Sequence, residues 1–222
     1  MWTTATWTTA RTSAIGLEKI DVPAVYIAGD STVTDRPNEG YARWGQTSPR
    51  FFKPDIAVAN PAESGETLKS FVTGLRFDKL RSQMKRGDYL IRFGSNGRKE
   101  NWPRTYAEAS STDKAYLTVF IAEARRGATP ILAPPMQRRR FGAAGKSRNS
   151  LGEYPETVRQ TAREEKVALV DLNATSVAFY EALGPAKSPL AFANSHPTHP
   201  DPRKSWSLPL NPQSPAQPTR GN

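Results

Sequence analysis

Ser31 and two residues before it, Gly29-Asp30, directly follow an apolar run over residues 22–28. Such a run predicts a buried strand, and in a parallel α/β sheet the ligands and reacting groups collect at the carboxyl ends of strands. A serine at that place has the exposure and the fixed backbone that a nucleophile needs. The alternative is that Asp30-Ser31-Thr32 only caps or turns the chain, as these residue types often do.

Other residues that follow predicted strands could complete an acyl-transfer site. Such a site needs a serine, a base, and hydrogen-bond donors aimed at the developing oxyanion. Besides the backbone N–H of Ser31, Gly65 could bring a second N–H close because it has no side chain, and Asn96 carries a neutral side-chain NH₂ donor. Histidine is the suitable base, and the chain has only two, His196 and His199.

The alternation of short apolar runs with longer helical patterns predicts the sheet that must hold these residues. The predicted strands are 24–28, 56–59, 89–93, 130–133 and 167–170. The predicted helices are 77–85, 112–126, 154–165 and 175–183. Five strands separated by helices predict an α/β fold with a five-stranded parallel sheet in a three-layer α/β/α arrangement.

The length of 222 residues suits one domain with a sizeable core. Hydrophobic residues make up 37% of the chain and 19 residues are proline, and both departures from average composition concentrate near the ends. We therefore expect an irregular segment over 1–20, one domain over 21–193, and a Pro-rich, irregular tail over 194–222.

The composition also limits the chemical groups and the partners that we expect for this chain. With no cysteine, the chain can form no disulfide, thiolate metal site or cysteine nucleophile. No apolar stretch is long enough to span a membrane, and no secretory signal is visible, so we expect no membrane partner. The net charge of +10 favours polyanions such as nucleic acid or acidic polysaccharide, or else describes an ordinary solvated surface. Without zinc-finger spacing or an RNP-like sequence, we expect no nucleic-acid partner, and we expect a monomer.

A set of short motifs carries a resemblance over about residues 25–192. The matching stretches are 26–35, 44–46, 58–65, 69–71, 87–89, 93–94, 127–130 and 151–155. In this combination the chain resembles the rhamnogalacturonan acetylesterase branch of the GDSL, or SGNH, hydrolases. The resemblance implies a flavodoxin-like fold and the removal of acetyl groups from pectic polysaccharide, with no metal or other cofactor. It also implies a secreted or periplasmic protein.

Carried over by position, the resemblance makes Ser31 the nucleophile, His199 the base, and Gly65 and Asn96 the remaining oxyanion donors. The block around Asn96 departs from the family, because residues 94–97 are Gly-Ser-Asn-Gly where the family has Gly-His-Asn-Asp. Asn96 itself is retained.

The segment that contains the two histidines departs further from the family pattern. The family has an aspartate three residues before its histidine, whereas here Asn194 stands at that place, five residues before His199. His196 is an alternative base. A frameshifted or replaced C-terminus would explain these changes together, and ordinary loop divergence is the alternative. Activity is then weakened, and the competing hypothesis is a catalytically impaired carbohydrate-binding relic of the same fold.

Three further residues are candidates for binding substrate. Trp44 is either a sugar contact or part of the core or cleft wall. Arg138 and Arg139 could hold uronate carboxylates through the bidentate guanidinium fork, or could simply be solvated. The expected partner is an acetylated, acidic polysaccharide or another small acetyl ester.

Overall fold

The computed structural model describes residues 21–36, 43–92 and 96–192, and its centre is a five-stranded parallel sheet. The strands are β1 (Ala24–Ala28), β2 (Ala57–Ala59), β3 (Asp88–Arg92), β4 (Ala128–Leu132) and β5 (Ala168–Leu169). The helices are α1 (Trp44–Thr47), α2 (Leu68–Thr73), α3 (Arg76–Arg81), α4 (Lys114–Ala124), α5 (Tyr154–Glu164) and α6 (Leu172–Lys187). The predicted fold class is confirmed.

The strand order β2-β1-β3-β4-β5 determines where a site can form. β1 pairs in parallel with β2 on one side and with β3 on the other, so that Val25 lies beside both Val58 and Tyr89. The connection from β1 leads to β2 on one side, and the next connection leads back past β1 to β3 on the other side, so the winding direction reverses at β1. In this flavodoxin-like order the topological switch point, where ligands bind, is the crevice beyond the carboxyl ends of β1 and β3.

Two clusters of buried side chains, one on each face of the sheet, make the fold three-layered. Alternate residues of β1 point to opposite faces, as the two-residue period of a strand requires. Tyr26 and Ala28 belong to the larger cluster, which α2, α3, α4 and α5 cover. Val25 and Ile27 belong to the smaller cluster, against which Trp44 of α1 and Leu172 of α6 pack.

Capping residues explain where the predicted helix bounds were wrong. The sequence pattern placed the last helix at 175–183, but α6 begins at Leu172 because the Asp171 carboxylate accepts a hydrogen bond from the N–H of Ala174 at 2.9 Å. The helix also continues past a kink at Gly184. The unpredicted α2 begins with a capping box in which Thr67 and Ser70 bond reciprocally.

Several strand and helix ends differ from the predictions by smaller amounts. The fifth strand is Ala168–Leu169 rather than 167–170, and α3 ends at Arg81 rather than at residue 85. No helix in the described ranges is long and apolar enough to cross a membrane. The predicted terminal segments, 1–20 and 194–222, lie outside the described residues.

Candidate active site

Ser31 lies just beyond the carboxyl end of β1, in a single tight turn. The carbonyl of Asp30 accepts hydrogen bonds from the N–H groups of Val33 at 2.9 Å and Thr34 at 3.1 Å. The side chain of Asp30 is 1% exposed, and its Oδ1 accepts from the N–H of Thr32 at 2.9 Å and from Thr32 Oγ1 at 2.6 Å. The turn therefore holds the backbone of the half-buried Ser31 from both sides.

Asn96 opens a short 3₁₀ turn (Asn96–Arg98) that follows β3, and it connects the loops of three strands. Its side chain is 6% exposed, and Nδ2 donates to the Glu66 carbonyl at 3.1 Å and to Asp30 Oδ2 at 3.4 Å. Asp30 precedes Ser31, and Glu66 follows Gly65. A single amide thus contacts the chain neighbours of both Ser31 and Gly65.

Gly65 adopts a left-handed conformation, with φ of +86°, in the loop after β2. No atom lies within 4 Å of the position that a Cβ would occupy there, so the glycine faces open space. The same loop is tied to the end of β1 by a hydrogen bond from the N–H of Glu63 to the carbonyl of Gly29 at 3.1 Å.

A supporting layer behind Ser31 was not identified from the sequence. Asn60 Nδ2 donates to the Val33 carbonyl at 2.9 Å and to Asp35 Oδ1 at 2.6 Å, which fixes the far end of the Ser31 turn. Gly45 packs directly on this bond, because an added Cβ would stand 2.8 Å from Asn60 Nδ2. The only sequence signal was that Gly45 and Asn60 both lie in the motif stretches.

Two of the predicted substrate-binding residues, Trp44 and Arg139, lie against hydrophobic side chains. Trp44 is half-buried and packs on the smaller core cluster. The guanidinium of Arg139 lies 5.9 Å from the centre of the Phe192 ring, beyond α6.

Arg138 is exposed and follows β4, which is the neighbour of β3 in the sheet. Burial, together with the charges of Arg98 and Arg140, lowers the pKa of Arg138, while the carboxylate of Asp30 acts in the opposite direction.

The predicted bases His196 and His199, and with them Asn194, lie outside the described residues. Among residues 21–36, 43–92 and 96–192, no group of three or more acidic or imidazole side chains is arranged to hold a metal ion.

The fold and these strand-end groups define the class of the protein. A serine, a buried amide and a glycine loop lie at the switch point of a five-stranded flavodoxin-like sheet, and the comparisons below show that the chain is a carboxylic ester hydrolase of the SGNH class.

Curated relatives identify the family within this class. The chain is 38% identical over 185 residues to the rhamnogalacturonan acetylesterase RhgT of Bacillus subtilis (strain 168), covering 80% of this chain and 78% of the relative. It is 36% identical over 168 residues to a probable rhamnogalacturonan acetylesterase, YesY, of the same organism, covering 73% and 76%. The chain belongs to the rhamnogalacturonan acetylesterase branch of the SGNH hydrolases. No protein-family profile matches it.

Solved structures show the same fold. The protein YxiM of Bacillus subtilis superimposes with a TM-score of 0.71 at 26% identity, over 82% of this chain and 52% of that chain. This chain thus spans about half of that structure. An acetylxylan esterase from Geobacillus stearothermophilus superimposes with a TM-score of 0.55 at 20% identity, over 72% of this chain and 80% of the other.

Proposed function

We propose that this protein removes acetyl groups from acetylated pectic polysaccharide of the rhamnogalacturonan type, through an acyl-enzyme on Ser31. The observation that carries the proposal is the position of Asn96, whose amide contacts both Asp30 beside Ser31 and Glu66 beside Gly65. The names of the two curated relatives support the choice of acetyl group and polysaccharide.

In the first half-reaction His199 accepts the proton of Ser31 Oγ as this oxygen bonds to the acetyl carbonyl carbon. The carbonyl π electrons move to oxygen, and the N–H groups of Ser31 and Gly65 together with Asn96 Nδ2 stabilise that oxyanion. As the intermediate collapses, the bond to the sugar oxygen breaks and His199 returns the proton to it. The sugar hydroxyl leaves, and the acetyl group remains on Ser31.

In the second half-reaction water attacks the acetyl-serine with the same base and the same donors, releasing acetate and restoring Ser31. No cofactor enters either step. His196 is the alternative base. Asn194, which replaces the family's aspartate, can orient a neutral imidazole but adds no negative charge to stabilise the imidazolium, so we expect turnover to be slowed.

Asn96 has two amide hydrogens, and both are engaged in the resting site. The bond to the Glu66 carbonyl at 3.1 Å has ordinary length, whereas the 3.4 Å contact with Asp30 is long for an N–H···O hydrogen bond. We assign the hydrogen on the Asp30 side to the oxyanion. The remaining bond to Glu66 then keeps the amide in position during the reaction.

Charge and surface residues support an acidic substrate. A net charge of +10 attracts polyanions over distances of about 10 Å at ordinary ionic strength. Arg138 and Arg139 are exposed and follow β4, and in this proposal their guanidiniums contact carboxylates of the substrate while Trp44 lines the cleft. A polymeric pectic substrate is extracellular, so we propose a secreted or periplasmic location.

The test compares hydrolysis of p-nitrophenyl acetate, and acetate release from acetylated rhamnogalacturonan, by the wild type and by Ser31→Ala. Ser82→Ala is the matched control, because Ser82 follows α3 on an exposed surface and its hydroxyl donates to the carbonyl of Lys79. We expect Ser31→Ala alone to abolish both activities. Background rates in all three proteins would instead indicate the carbohydrate-binding relic, and activity in Ser31→Ala would exclude Ser31 as nucleophile.

A further inference from the structure

The face of the sheet that carries the smaller core cluster is covered over β1 but open over β3 and β4. Val25, Tyr89 and Thr129 lie side by side at one level of these three strands. Val25 is 4% exposed, whereas Tyr89 is 43% exposed and Thr129 is exposed as well. Because parallel sheets are normally covered on both faces, the described part of the chain leaves this area of the sheet without a covering layer.

A groove beside α6 adjoins the open face. It has a volume of about 210 Å³, and its wall includes the apolar residues Met136, Leu172, Phe179 and Phe192. Met136 and Leu172 also pack against the smaller cluster, so the groove continues onto the same face of the sheet. Phe179 is 49% exposed and Phe192 is 38% exposed. Contiguous apolar surface of this kind marks a place where another segment or molecule packs.

The chain leaves the described structure at this α6 groove. Phe192, in the wall of the groove, is the residue from which segment 193–222 continues. The other terminal segment, 1–20, joins the chain ahead of the amino end of β1. That end lies at the opposite edge of the sheet from the loop after β4, which contributes Met136 to the groove. The position of the groove therefore favours the C-terminal segment as its occupant.

Residues 206–210, Trp-Ser-Leu-Pro-Leu, have the pattern of an extended segment with one apolar side. Pro209 disfavours a helix, and in an extended chain alternate side chains point the same way, so Trp206, Leu208 and Leu210 share one side. They are the only large apolar residues of 193–222. Residues 193–205 can extend over about 40 Å at about 3.3 Å per residue, which is enough to bring 206–210 to any part of the groove.

We propose that residues 206–210 pack into the α6 groove and onto the adjoining open face, where Trp206, Leu208 and Leu210 supply the covering layer. His196 and His199 then belong to a loop that is anchored on both sides, at Phe192 and at the docked segment. An anchored loop samples fewer conformations, which favours the one in which a histidine meets Ser31. This catalytic consequence rests on the proposed function, whereas the docking itself does not.

The absence of cysteine from the sequence makes a disulfide test of the docking possible. The test pair is Thr175→Cys with Ser207→Cys, because Thr175 is exposed and lines the groove, and Ser207 lies between the proposed apolar anchors. The matched control is Thr118→Cys with Ser207→Cys. Thr118 is also exposed, but lies on α4, which covers the opposite face of the sheet. Each threonine hydroxyl donates to the carbonyl four residues earlier, so the two substitutions are equivalent.

The measured quantity is the fraction of intramolecular disulfide at equilibrium in a glutathione buffer, which gives the effective concentration of the two thiols. We expect it to be at least about tenfold higher for the Thr175 pair than for the Thr118 pair. Addition of Leu208→Asp should remove that difference, whereas Ala216→Asp should preserve it. Equal values for the two pairs would overturn the proposal. Disulfides that form between two molecules would overturn it too, and would assign the groove to a second copy of the chain.

Leu208→Asp and Ala216→Asp, without introduced cysteines, test the consequences of docking. Hydrogen exchange of the amides in β5 and α6 should be faster in Leu208→Asp than in Ala216→Asp, because the covering layer is lost. If a histidine of the anchored loop is the base, kcat for p-nitrophenyl acetate should fall about tenfold in Leu208→Asp with little change in KM. An unchanged kcat would overturn the catalytic consequence. Failure of the wild type to hydrolyse this ester would count against the proposed function alone, because the disulfide test requires no turnover.

Discussion

The side-chain amide of Asn96 donates a hydrogen bond to the buried carboxylate of Asp30 across 3.4 Å, joining the ends of β3 and β1. These strands are adjacent in the sheet although about sixty residues separate them in the chain. Asp30 therefore has two tasks: it shapes the turn that presents Ser31, and it aligns the amide of Asn96. We regard Asp30 as a positioning residue, because its carboxylate accepts hydrogen bonds from Thr32 in the Ser31 turn and from the amide of Asn96.

Replacing Asp30 with asparagine tests this alignment. The new amide can accept through only one oxygen, so it cannot serve both Thr32 and Asn96, and we expect kcat to fall at least tenfold with a smaller change in KM. Asn96→Ala removes the donor itself and should lower kcat by about 10²–10³-fold. Steady-state kinetics with p-nitrophenyl acetate measures both.

Asp55→Asn provides the control for the loss of one negative charge, because Asp55 is exposed and precedes β2 at the opposite edge of the sheet. Its kcat should equal that of the wild type. If Asp30→Asn also kept full kcat while Asn96→Ala lost it, Asn96 would be positioned without Asp30.

Gly65→Ala separates backbone conformation from steric clash. Its φ of +86° disfavours any residue with a Cβ, although no atom would touch that Cβ. Gly87 has a φ of +100° and equally open surroundings, but precedes β3 at the edge away from Ser31. We expect each Ala variant to lose about 1–2 kcal/mol of unfolding free energy, and only Gly65→Ala to lose activity.

Urea denaturation and p-nitrophenyl acetate kinetics on the two glycine variants give this comparison. Equal stability losses with equal activities would mean that the N–H of Gly65 does not contact the oxyanion.

The sequence was sufficient to predict the strand ends that carry Ser31, Gly65 and Asn96. Apolar runs bounded by glycine and polar residues define where parallel strands end, and such ends share one edge of the sheet. The motifs then indicated the family, which the curated relatives confirm.

The hydrogen bonds between these ends were beyond prediction. A flavodoxin-like fold implies that β3 pairs with β1, but it does not specify that the Asn96 amide donates to Asp30 and to the Glu66 carbonyl. The six-residue α2 was missed because it is too short for a helical period and depends on its Thr67 cap.

Substitution of each histidine, together with the pH dependence of kcat/KM, can distinguish whether His199 or His196 is the base. If His199 is the base, His199→Ala should lower kcat by about 10²–10⁴-fold, whereas His196→Ala should change it by less than about threefold. In the wild type, kcat/KM should rise with pH through about 6.5, because only neutral imidazole accepts the proton of Ser31. Each histidine variant is the matched control for the other, and the reverse pattern would assign His196 as the base.

Asp171→Asn tests the ion pair between Asp171 and Arg159, which lies at the start of α6. Asp171 accepts from Arg159 Nε at 2.8 Å and Nη2 at 3.2 Å, and both side chains are partly buried. Burial alone would raise the pKa of Asp171, but the bonds from Arg159 and the N–H of Ala174 outweigh it and lower the pKa below 3.8. Asparagine keeps the cap on Ala174 and removes the charge, so we expect a loss of about 1–2 kcal/mol in unfolding free energy at pH 7.

The pH dependence of this loss has a defined sign. Because the folded-state pKa is depressed, the stabilisation by Asp171 is complete above the unfolded-state value of about 3.9 and disappears as pH falls through the folded-state pKa. Denaturation curves should therefore show a constant difference between wild type and Asp171→Asn from pH 5 to 8, and a shrinking one below about pH 4. Asp78→Asn, which removes an exposed partner of Arg81, should cost less than about 0.5 kcal/mol throughout. A difference for Asp171→Asn that stayed constant down to the lowest pH would show that the lost stability comes from packing and not from the charge.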